Sequence, residues 1–168
     1  MNPILANLIG YFYAVVFAQF LIAPIQNRLW RDLISKSGMP AQKVRPRPWH
    51  ATVVGYVERT VYVAALQASA ASLIGVWLAL KVASQWKGWS EGLKEDSDSE
   101  PKITGREFAN VFITGTGLSL VFALAASRCI PHLGRAEWLK AMFLIIAPVI
   151  GAAVLYMFIC RQANKGSS

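Results

Sequence analysis

Glu58, Arg59 and Tyr62 stand within about one helical turn of each other in the run Gly55-Tyr-Val-Glu-Arg-Thr-Val-Tyr62. A carboxylate, a guanidinium and a phenol at that spacing can do two kinds of chemistry. Residues four apart share a helix face, so Glu58 and Tyr62 can act as a proton-titrating pair, while Arg59 can hold a lipid phosphate. The same groups can instead be structural, an interfacial ion pair such as Glu58 with Arg128 that ties two helices together. Lys81, Gln67 and Asn110 complete the candidate polar set. Lys81 lies at the far end of the stretch that Glu58 opens, where its ammonium should snorkel to the interface. Gln67 and Asn110, with Gln19, Thr114 and Thr116, fall deeper, where amides and hydroxyls bridge helices or line a water path. On this spacing no charge is forced to the midplane, which argues against a proton pump or a charged-substrate carrier.

Other chemistries find no residues to carry them. The sequence has no Gly-x-Ser-x-Gly elbow, His-Glu-x-x-His, P-loop or dinucleotide fingerprint, so no enzyme is expected. Cys129 and Cys160 end different apolar stretches and His50 and His132 are isolated, so neither a disulfide nor a metal site is expected, and no cofactor. The net charge of +8 is spread over several flanks without interleaved stacking aromatics, which fits a membrane surface and no nucleic acid.

The elements that must position these residues are membrane helices. At 55% hydrophobic and 15% charged, with mean hydropathy +0.40, the chain is too apolar for an ordinary soluble surface. Four stretches lack charge for about 20 residues, the length that crosses a hydrocarbon core of about 30 Å. The expected fold is all-α, an integral membrane bundle of four transmembrane helices forming one domain over 1–168. Its spans are 3–27, 56–80, 108–127 and 139–160, with a mobile acidic loop over 90–101. The first span lacks the basic start of a cleavable leader and is expected to be retained. Four spans leave ten of the 17 Lys and Arg flanking the first and third loops and seven on the other side. Arg28 and Arg31 follow the first span while nothing basic precedes it, so both termini are expected outside the cytoplasm. Between spans one and two, Lys43-Val-Arg-Pro-Arg-Pro-Trp-His50 reads as a basic extended connector able to lie on anionic headgroups.

Small residues indicate where helices approach closely in lipid. Ala68, Ala71 and Gly75 make the second span the expected hub, with Gly115 and Gly151 as the close-approach points of the third and fourth, and Pro148 should kink the fourth.

Gly55-Tyr-Val-Glu-Arg, followed by Ile74-Gly-Val-Trp-Leu-Ala-Leu-Lys81, Trp86 and Phe112-Ile-Thr-Gly-Thr-Gly-Leu-Ser-Leu120, resembles a pattern in small bacterial polytopic membrane proteins to which no activity is assigned. The resemblance covers the middle two spans. It implies a bacterial inner-membrane origin and that Glu58, Arg59, Lys81 and Gly115 act together. The expected role is an assembly or interaction subunit of a membrane complex, and the alternative is an oligomeric channel or transporter component. Membrane lipids, a second copy or another membrane protein are the expected partners.

Overall fold

The computed structural model describes residues 2–36, 49–91 and 105–165. The basic connector before Trp49 and the acidic loop beyond Glu91 lie outside the described residues. Helix formation starts at Asn2, whose side-chain oxygen accepts from the Ile4 N–H at 2.9 Å, and Pro3 follows at a position where a missing N–H costs nothing. One rod, α1, then runs through Pro3–Phe12, a π-helical turn at Tyr13–Phe17, and Ala18–Lys36. The other helices are α2 (Trp49–Gln67), α3 (Ser72–Glu91), α4 (Gly105–Gly134) and α5 (Trp138–Lys165), with no strand among the described residues. Three segments, Pro3–Ser35, Ala109–Gly134 and Trp138–Gln162, are long and apolar enough to cross a membrane, compatible with an integral membrane protein.

The expected second span, 56–80, is not one helix. α2 ends at Gln67 and α3 begins at Ser72, with Ser69 in the left-handed region at φ 56°. The Ala70 N–H donates to the Ala65 carbonyl at 2.8 Å and the Ser69 N–H to that of Leu66 at 3.3 Å. This is a Schellman closure, which satisfies the last carbonyls of α2 and reverses the chain. The physical reason lies in the charges. A straight helix would hold Glu58 and Lys81 about 35 Å apart at 1.5 Å per residue, whereas folding back at Ser69 brings them to 2.7 Å. The α4–α5 corner repeats the device with Ala136 at φ 60°, where the Glu137 N–H donates to the His132 carbonyl at 2.9 Å.

Contacts fix which ends coincide. Gln67 donates to Asn7 at 2.7 Å, Gly10 lies against Ile130, and Cys129 meets the Ala141 carbonyl at 3.7 Å. The start of α1, the α2–α3 turn and the α4–α5 corner therefore share one end of the bundle. The finish of α1, both outer ends of the hairpin, the start of α4 and the finish of α5 share the other. The start of α1 and the finish of α5 consequently lie at opposite ends of the bundle, and the extra reversal at Ser69 is the cause.

α4, not the expected second span, is the hub, because it packs against each of the other four helices. Tyr13 and Phe122 illustrate the α1–α4 seam, with ring centroids 5.8 Å apart, and the Tyr13 hydroxyl donates to the Ile145 carbonyl of α5 at 2.8 Å. Ile145 neighbours Leu144, whose carbonyl Pro148 leaves without its helical donor. The small residues sort unevenly. Gly115 is buried under the Gln26 side chain, which a Cβ there would displace. Ala68, Ala71, Gly75 and Gly151 are exposed, and a Cβ at Gly75 or Gly151 would meet nothing within 4 Å.

Candidate polar site in the bundle interior

Glu58 is the centre of the site. It is 3% exposed, and its two carboxylate oxygens have separate partners. The Tyr62 hydroxyl, one turn along α2, donates to Oε1 at 2.7 Å, and Lys81 Nζ from α3 donates to Oε2 at 2.7 Å. Lys81 also donates to Thr116 Oγ1 of α4 at 2.8 Å and lies 4.8 Å from the centroid of the Phe112 ring. One ammonium thus binds three helices through a carboxylate, a hydroxyl and a π face.

Arg59, 1% exposed, projects from α2 in a different direction. Its Nη2 donates to the Gln19 side-chain oxygen at 2.8 Å and to the Val15 carbonyl at 3.1 Å. Its Nη1 reaches Ser119 Oγ at 3.4 Å, and the guanidinium lies 5.5 Å from the centroid of the Tyr56 ring. Gly55, one turn before it, lies against the guanidinium, where a Cβ would make ordinary contact with Nη1 at 3.4 Å. Adjacent charges on α2 therefore serve opposite neighbours: Glu58 holds α3, and Arg59 holds α1 and α4. Thr116 and Ser119, three apart on α4, receive the two cations side by side.

This arrangement departs from the sequence reading in three ways. Lys81 does not stand at the opposite end from Glu58 but against it. The partner of Glu58 is Lys81 and not Arg128, which is exposed and lies near the other end of α4. Charge does reach the interior, at the level of Val15 and Gln19, within a rod that carries no charged side chain before Arg28.

The remaining candidates lie elsewhere. Gln67 pairs with Asn7 at the outer end of the bundle. Asn110 is exposed near the start of α4, and its carbonyl accepts from Thr114 Oγ1 at 2.8 Å. Ser119 and the Val15 carbonyl were not legible as site groups. Ser119 reads as a small packing residue, and a backbone carbonyl has no sequence signature. A signal for the hairpin was present in the placement of Glu58 and Lys81 almost symmetrically about the small-residue run Ala68-Ser-Ala-Ala-Ser72.

Near the α4–α5 corner, Glu137 lies 3.0 Å from Lys140 Nζ and 2.7 Å from His132 Nδ1. Lys140 and then His132 hold its carboxyl below the usual carboxylate range. Among the described residues no group of three His, Cys, Asp or Glu could hold a metal ion, and both cysteines are free. Comparison with protein-family models, curated proteins and solved structures finds no match to this chain. Its class is that of a helical protein with membrane-length apolar helices and an interior charge cluster.

Proposed function

We propose that this chain is a bacterial inner-membrane protein whose bundle serves as an assembly or interaction subunit of a membrane complex. One observation carries the reading: Glu58, Tyr62, Lys81, Thr116, Arg59, Gln19 and Ser119 are engaged helix to helix with one another. Two surface concavities among the described residues are apolar, one along Leu78, Ala79, Val82 and Ala83 and the other between Leu8, Phe12, Val16 and Thr60. Neither is lined by Glu58, Arg59 or Lys81. Polar groups spent on interhelical bonds make a firm scaffold.

The chain crosses the bilayer five times on this reading, not four. α2 and α3 have 19 and 20 residues, enough for about 30 Å, and Glu58, Arg59 and Lys81, which lower their hydropathy, are engaged within the bundle. Basic residues support the orientation. Among the described residues, Arg28, Arg31, Lys36, Lys87, Arg106, Arg161 and Lys165 belong to helix ends at one end of the bundle, seven in all. Arg128, Arg135 and Lys140 belong to the other end, and Arg59 and Lys81 are interior. Seven against three makes the basic end cytoplasmic, with the N-terminus outside and the C-terminus inside. That end also suits anionic lipid headgroups, at about 1 kcal/mol per basic residue near the surface.

A channel or transporter component is the second reading, favoured by Glu58, Arg59 and Lys81 at depth, where ionisable groups usually serve function. Crosslinking in native membranes tests the first: the 18.5 kDa chain should be captured in a discrete larger species. Recovery as monomer alone, together with gradient dissipation in proteoliposomes that Glu58→Gln abolishes, would favour transport instead.

A further inference from the structure

The buried line of α1 changes phase at its π turn. Up to the first residue of the turn, Ala6, Gly10 and Tyr13 face the bundle. A continuous α-helix would carry that line on to Phe17, Phe20 and Pro24, yet Phe17 is 39% and Phe20 72% exposed, while Ala18, Ile22 and Ile25 are at most 1% exposed. The π turn inserts about one residue of phase, and this lets both halves of the rod dock.

Nothing in the apolar sequence of α1 compels that choice. In lipid, turning Phe17 and Phe20 inward and Ala18 and Ile22 outward exchanges one apolar surface for another with no hydrophobic gain. π turns are also rare, and they occur where a functional or local interaction retains them. Here the retaining group is visible. Arg59 grips the Val15 carbonyl inside the turn and Gln19 just after it, and Tyr13 at its start is tied to the Ile145 carbonyl.

We infer that α1 is a two-register element whose π form is held by Arg59. Releasing the guanidinium lets the turn relax to α-helix, so that the outer half of α1 advances by one residue, about 1.5 Å and about 100°. Leu8 then takes the place of Asn7 opposite Gln67. Because Glu58, next to Arg59 on α2, is tied to α3 through Lys81, a displacement of the α2–α3 hairpin reaches the outer half of α1 through one peptide unit. This is a conformational coupling between the interior cluster and the outer face, and it does not depend on the assembly reading.

Thiol crosslinking in native membranes tests it. In the full chain carrying Cys129→Ala and Cys160→Ser, Gln67→Cys is paired with either Asn7→Cys or Leu8→Cys. With Arg59 present, crosslinking should favour position 7. With Arg59→Gln, it should shift by one residue to position 8. Deleting Val16 removes the extra residue of the π turn and should lock the native phase, so that position 7 stays favoured even with Arg59→Gln. Arg59→Lys keeps the buried charge but removes the Nη2 atom that serves both Val15 and Gln19, and it should produce the same shift if Arg59→Gln does not accumulate. Retention of position 7 in the variants that keep Val16, or a shift despite the Val16 deletion, would overturn the register switch.

Discussion

Among the described residues, replacing Lys81 by Met leaves the buried Glu58 carboxylate with the Tyr62 hydroxyl as its remaining partner, because its other oxygen is served by Lys81 at 2.7 Å. The Glu58 side chain is 4% exposed, so water cannot replace the lost ammonium without opening the bundle. Breaking a buried pair from one side costs about 3–5 kcal/mol, which is the expected loss for Lys81→Met. Glu58→Gln should cost less, about 1–3 kcal/mol, because Lys81 keeps Thr116 and the Phe112 face and its side chain is 18% exposed. Combining the two removes both charges and leaves an amide that still accepts from Tyr62, so the double variant should lie within about 1 kcal/mol of the parent. The coupling is thus at least about 3 kcal/mol, more than a hundredfold in the unfolding equilibrium. Equilibrium unfolding in mixed micelles, followed by helical circular dichroism and tryptophan fluorescence, gives all four corners of the cycle. If the two losses simply add, or if Lys81→Met costs less than about 1 kcal/mol, the pair does not hold the hairpin and the fold-back at Ser69 has another cause.

Three further outcomes follow from the same geometry. A reporter active only in the cytoplasm should be active when fused after Ser168 and silent when fused before Met1; the same response at both ends would refute the odd number of crossings. Gly115→Ala should lower stability by about 1–3 kcal/mol, because the new methyl displaces the Gln26 amide, whereas Gly75→Leu should leave the melting profile of the purified chain unchanged, since nothing lies within 4 Å. A Gly75 effect as large as that of Gly115 would reveal a close contact made only in an assembly. Glu137 has a depressed folded pKa, so its contribution is present above the ordinary carboxylate value of about 4.3 and is lost as pH falls through the lower folded value. Glu137→Gln should therefore reduce stability at neutral pH and make no difference in strong acid, and thermal melts at both extremes check the sign.

Hydropathy recovered the three long apolar helices because it depends only on composition within a window. The α1, α4 and α5 segments carry few charges over the length of a bilayer, and they form helices wherever they are placed. The importance of Glu58, Arg59, Tyr62 and Lys81 was also visible, since ionisable residues in apolar surroundings are costly and must be compensated. The compensation itself was not visible. Over 56–80 a straight span with its charges at the ends and a hairpin with its charges paired have the same composition, and no Pro or Gly marks the reversal. Ser69 takes a left-handed conformation at a cost of about 1–2 kcal/mol, which the Glu58–Lys81 contact and the Schellman bonds offset.

By itself, then, the sequence determined an all-α chain of membrane character and its short list of ionisable residues. Tertiary structure decided what those residues touch and how many helices the chain makes. It set the fold-back at Ser69, the opposite ends reached by the start of α1 and the finish of α5, α4 as the hub in place of 56–80, and the phase shift at Tyr13–Phe17. The reason is common to all four. Where every face of a helix is apolar and lipid is as good a neighbour as protein, hydrophobic burial does not choose a partner or a register. A few polar bonds between residues distant in sequence make that choice, and their geometry exists only once the helices have met.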